Sequence, residues 1–127
     1  MIDHITFGVS DFAVSAAFFD AALAPLGIKR LFVVPKEFTG GVDGCGYGET
    51  RPYFWISGDG ATTGKLHIAL MAKTRAEVDA FHAAAMAAGG TDNGGPGVRP
   101  HYHPDYYGAF VLDPDGHNIE AVCHLPE

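Results

Sequence analysis

Ile5, Phe7 and Val9 alternate with His4, Thr6 and Gly8, a period of two that predicts a strand over Ile2–Val9 with one face in a core. Ser10 and Asp11 then offer side-chain oxygens to cap a helix. Its apolar stripe is Val14, Ala17, Phe18, Ala21 and Ala22; the helix ends near Pro25, with Gly27 beyond it as a C-terminal cap. The pattern returns later in the chain. Leu66, Ile68 and Leu70 alternate with His67, Ala69 and Met71, and Thr74 with Glu77 has the spacing of a capping box. A second helix follows with Val78, Phe81, Ala84 and Ala85 on one side, and it stops at Gly89-Gly90.

His4 and His67, Phe18 and Phe81, and Gly27 and Gly90 share one offset of 63 residues, the mark of an internal duplication. β-like segments follow each helix: 28–35, 42–48 and 52–57 in the first half, and 91–98, 106–112 and 117–124 in the second. Gly-rich stretches and the turn Asp113-Pro114-Asp115-Gly116 separate them. The expected fold is α+β: two tandem βαβββ modules, about 1–58 and 64–127, form one domain over 1–127. Their strands make a curved mixed β-sheet with the helices on its outer face.

The chain of 127 residues suits a single domain, and 47% hydrophobic content supplies a core. With 15 acidic and 8 basic residues the net charge is −7, and no Lys/Arg cluster occurs. Nucleic acid and anionic membrane surfaces are therefore not expected partners, since both need a basic footprint. No signal peptide and no transmembrane segment are visible. Cys45 and Cys123 are too few for a disulfide framework and read as reduced thiols of a cytoplasmic protein.

Facing then selects the candidate chemistry. His4 and His67 hold equivalent places in the two repeats, each on the strand face opposite the residues that pack on the helix. In the last strand Ile119 and Ala121 form the apolar face, so Glu120 points to the other side. If the modules are related by a two-fold axis, these side chains converge as a 2-His-1-carboxylate set with open positions, suited to a divalent metal ion: Zn, Mn, Fe or Ni. Tyr53 and Trp55 alternate onto the same concave side and could wall a small ligand. The loop His101–Tyr107 is rich in titratable side chains, with His103 as a candidate proton shuttle and Tyr107 as a candidate substrate contact.

The duplicated βαβββ pattern, the His in the first strand of each half, and Asp-Pro-Asp-Gly-x-x-x-Glu ending at Glu120 together resemble the vicinal oxygen chelate superfamily. That group includes glyoxalase I, extradiol dioxygenases, fosfomycin-resistance thiol transferases and bleomycin-resistance proteins. The resemblance implies a glyoxalase-like fold, a small-molecule substrate and a homodimer whose sites draw on both chains. It places metal ligands at His4, His67 and Glu120. The family's fourth ligand position falls in Pro52–Ser57, which offers neither carboxylate nor imidazole. Phe110 stands where dioxygenases carry a tyrosine, and joins the expected substrate contacts. The implied function is a metal-dependent enzyme on a small oxygen-rich molecule, glyoxalase-like lyase/isomerase or dioxygenase-like, with Glu120 as the proton-moving group and His103 as the alternative. The other reading is a non-catalytic sequestering protein of the bleomycin-resistance type.

Overall fold

The computed structural model describes all residues, 1–127. The order is β1 (Ile5–Gly8), α1 (Phe12–Leu23), β2 (Lys29–Val33), β3 (Gly44–Gly48), β4 (Pro52–Ser57), β5 (His67–Met71), α2 (Arg75–Ala87), β6 (Thr91–Val98), β7 (Tyr107–Leu112) and β8 (Asn118–Cys123). Short 3-10 turns follow α1 and β2, the second over Lys36–Phe38.

Each module is β-α-β-β-β, as the repeat implied. The strands form two four-stranded sheets ordered β1-β4-β3-β2 and β5-β8-β7-β6. In each, the first strand runs parallel to the last, and the other pairs are antiparallel. The sheet is therefore mixed but made of two separate halves, and no hydrogen-bonded ladder joins them. The helices pack on each other and on their own sheets. One cluster of 23 buried residues spans both modules, so the duplication builds a single core.

Local chemistry explains the helix ends. Asp11 caps α1 by accepting the Val14 N–H, and Thr74 caps α2 by accepting the Glu77 N–H at 3.1 Å. The Glu77 carboxylate reaches back to the Lys73 N–H at 2.6 Å, one residue before the donor a strict capping box would use. Gly27 terminates the first helical segment at φ 76°, which a side chain would resist. In the second module Gly89, at φ 99°, takes that role. Gly90 instead makes a close approach: a Cβ there would lie 2.5 Å from Val111 and 2.9 Å from Phe18.

The first module's core is aromatic. Phe7, Phe19 and Phe54 meet edge to face with centroids 5.1–6.0 Å apart, and the buried Tyr47 hydroxyl donates to the Ala16 carbonyl. Cys45 and Cys123 are both free and buried, and burial pushes the Cys45 thiol up. No helix is long and apolar enough to cross a membrane.

The second module holds one buried ion pair, which also bonds to the link between the modules. His117 is 3% exposed, and its Nδ1 lies 2.9 Å from the Asp113 carboxylate and its Nε2 2.8 Å from the Thr62 carbonyl. Both partners can only accept, so both ring nitrogens must donate, which makes the ring an imidazolium. Burial opposes that charge, but the Thr62 carbonyl and the Asp113 carboxylate outweigh it, and the net pKa is raised. Thr62 lies in the link between modules, and its hydroxyl also accepts the Gly8 N–H.

Candidate functional site

The strands of the second module build the site by register. Glu120 on β8 stands opposite Ala69 on β5 and opposite Phe110 on β7. His67 is two residues before Ala69 on the same face, a diagonal neighbour that long side chains can reach. Its Nε2 lies 2.8 Å from Glu120 Oε1. Small Ala69 leaves the space between them open. The imidazole is half exposed, whereas the Glu120 carboxylate is 1% exposed.

Tyr106 holds the other carboxylate oxygen: its hydroxyl donates to Glu120 Oε2. Burial, then the hydrogen bond and charge of Glu120, push the Tyr106 phenol well up, so it stays a protonated donor. Gly108 makes this possible, since a Cβ there would sit 3.1 Å from the Tyr106 ring and 3.3 Å from Glu120 Oε2. Both oxygens of the buried carboxylate are thus hydrogen-bonded, as burial of such a group requires.

A pocket of about 450 Å³ opens beside this pair, lined by His67, Asn93, Gly94, Arg99, Tyr102, Phe110 and Asn118. The Phe110 ring lies 5.9 Å from the His67 ring. A second pocket, of about 460 Å³, lies where β1 and β4 approach β5; Ile2, His4, Tyr53 and Ile68–Met71 are among its walls.

The other sequence-selected residues fall as follows. His4 stands apart from His67 and Glu120 within one chain: its Nδ1 lies 2.7 Å from Asp3, which also meets Arg51 at 3.1 Å. Those two partners, His4 first, hold the Asp3 carboxyl below its usual range. No group of three His, Cys, Asp or Glu side chains gathers within a chain at metal-binding distance. Trp55 packs against Phe32 at 6.0 Å and lies over Gly46, where a Cβ would come within 2.8 Å of the indole. His103 accepts the Asp105 N–H, and its ring faces His124, which in turn faces Tyr106. It stands two rings from Glu120.

Tyr107 turns away from the site. Its hydroxyl donates to Asp79 on α2 at 2.6 Å, and Arg75 lies over its ring. Strand parity is the reason: Tyr107, Ala109 and Val111 face the helix, and Gly108 and Phe110 face Glu120. The tyrosine at the carboxylate is Tyr106, which shares the parity of Phe110. Counting back by twos from Phe110 would have selected it.

A family model described as "Glyoxalase/Bleomycin resistance protein/Dioxygenase superfamily" matches residues 1–121. A glyoxalase/bleomycin resistance protein from Albidiferax ferrireducens is 34% identical, with 97% of this chain and 98% of that one covered and a TM-score of 0.76. A glyoxalase-related enzyme from Fulvimarina pelagi is 23% identical over 97% of this chain and 87% of its own, with a TM-score of 0.68. A glyoxalase I variant from Zea mays is 18% identical; the similarity covers 95% of this chain but 43% of the maize one, with a TM-score of 0.69. The last two establish likeness of fold alone. No curated protein matches the sequence.

Proposed function

The chain belongs to the glyoxalase/bleomycin resistance protein/dioxygenase superfamily, and from that premise we propose that it is a metal-dependent enzyme acting on a small oxygen-rich molecule. Its chemistry is of the glyoxalase-like lyase/isomerase or the dioxygenase-like kind. The observation that carries this reading is the buried Glu120 carboxylate, paired with His67 at the mouth of a polar pocket. Ionisable groups buried beside a cleft are functional-site candidates on physical grounds.

The residues fit a divalent ion as half of a site. Imidazole nitrogen and carboxylate oxygen are ligands for Zn, Mn, Fe and Ni alike, and His67 Nε2 and Glu120 Oε1 lie 2.8 Å apart. His4 would then come from the second chain of a symmetric homodimer, since no third such side chain joins His67 and Glu120 within one chain. A divalent ion held there supplies Lewis acidity toward adjacent substrate oxygens. The chain's own part is to place the groups. Glu120 takes or returns the proton at the reacting carbon or oxygen, Tyr106 holds the carboxylate in position, and the wall at Phe110 excludes water.

Turnover assays on methylglyoxal–thiol adducts and on catechols, with and without a chelator, test the proposal. Metal-dependent turnover that Glu120→Gln removes supports it. The second reading, a sequestering protein, draws on the Trp55–Phe32 aromatic surface. Ligand binding unchanged by chelation, with no turnover of either substrate class, would establish that reading instead.

A further inference from the structure

We propose that Arg99 is an anion-binding residue and that the molecule accepted in the second module's pocket carries a carboxylate. This deepens the functional reading above and rests on its placement of the reacting centre at His67 and Glu120. The chain has four arginines. Arg30, Arg51 and Arg75 each meet a carboxylate, from Asp20, Asp3 and Glu127. Arg99 alone has none within salt-bridge distance, although it belongs to a chain of net charge −7.

Its guanidinium is nevertheless fixed. Nη1 donates to the Gly97 carbonyl and Nη2 to the Gly95 carbonyl, each at 2.8 Å. Those carbonyls come from the segment of β6 where the ladder with β7 is broken by register shifts between Asp92 and Gly97. The group also lies 5.5 Å from the centre of the Phe110 ring. Two of its five N–H groups are thereby spent and three are free.

A rigid, half-buried guanidinium with unspent donors is the geometry that accepts a planar carboxylate in two parallel hydrogen bonds. The rest of the pocket suits such a guest. The Asn93 amide donates to the Asn118 side-chain oxygen, presenting neutral polar groups and no acid beside Arg99. Phe110 carries Arg99 and His67 around one ring, so a molecule a few atoms long spans from the anion site to the Glu120 centre. A small 2-oxo or 2-hydroxy acid, with its carboxylate at one end and an adjacent oxygen toward His67, has the required chemistry.

The test is a pair of NMR titrations of the full chain with pyruvate and with pyruvamide, which differ in charge but hardly in shape. They are run on chelator-treated and zinc-loaded protein, for the wild type and Arg99→Gln. Pyruvate is expected to bind the wild type in both states and more tightly than pyruvamide. Arg99→Gln is expected to weaken pyruvate by roughly ten- to a hundredfold, the ratio a charge-assisted hydrogen bond carries, and to weaken pyruvamide much less. Equal pyruvate affinity in the two proteins, or a wild type that does not prefer pyruvate, overturns the inference. The wild-type comparison decides by itself should Arg99→Gln fail to fold. If zinc leaves pyruvate affinity unchanged while Arg99→Gln lowers it, the metal reading fails and the anion site stands.

Discussion

The hydroxyl of Tyr106 donates to Oε2 of Glu120, the carboxylate oxygen that His67 leaves free. Removing it leaves a buried oxygen without a partner, which costs about 1–3 kcal/mol. Tyr106→Phe is therefore expected to lower unfolding stability by that amount in urea. Tyr107→Phe, which loses a hydrogen bond to the exposed Asp79, should cost less than about 1 kcal/mol. Equal losses from the two variants would mean that the Glu120 pairing is not the stronger interaction.

His117 sets a pH dependence. Its folded pKa is raised above the ordinary histidine value of 6.5, so the native state binds the proton more tightly than the unfolded chain. The stabilisation is fully present below the unfolded pKa and is lost as pH rises through the raised folded one. The stability gap between wild type and His117→Gln should be widest below about pH 6, near the ~3 kcal/mol typical of breaking a buried pair, and should narrow on alkalinisation. Urea curves from pH 5 to 9 that run parallel for both proteins contradict the imidazolium assignment.

Much of this was legible in the sequence because it follows from periodicity. The 63-residue offset carried both modules, and β4 and β6 fall on the segments that the breakers delimit. Strand alternation put His67 and Glu120 on the face away from the helices, and the family resemblance added Phe110. Three things were hidden. Tyr106 lies just before β7, in a loop read for its titratable groups and not for strand parity, so Tyr107 was selected in its place. The distance between His4 and His67 depends on how the modules pack, which periodicity does not encode. Arg99 draws its meaning from having no partner, and only a three-dimensional neighbourhood shows that.

The repeat hides a difference that substitution exposes. Gly27 and Gly90 share the offset, yet Gly27 needs a positive φ in open space and Gly90 needs room. Gly27→Ala should cost about 1–2 kcal/mol through backbone conformation alone. Gly90→Ala should cost about 1–3 kcal/mol through overpacking against Val111 and Phe18. Gly90→Ala should be partly relieved by Val111→Ala, and Gly27→Ala should not. Stability measurements on the two double variants check this; no relief at Gly90 would refute the packing explanation.

If His4 completes the site from a second chain, the protein must associate. Light scattering at micromolar concentration is expected to give twice the 13.4 kDa chain mass. A monomer across the concentration range would leave His4 without a role beside His67.

The central claim is that His67 and Glu120 are metal ligands. Elemental analysis of protein loaded in turn with zinc, manganese, iron and nickel, then desalted, tests it most directly. The expected result is one ion per chain in the wild type for at least one metal, and none in His67→Ala under the same loading. No uptake of any ion by the wild type, or full uptake by His67→Ala, would contradict it.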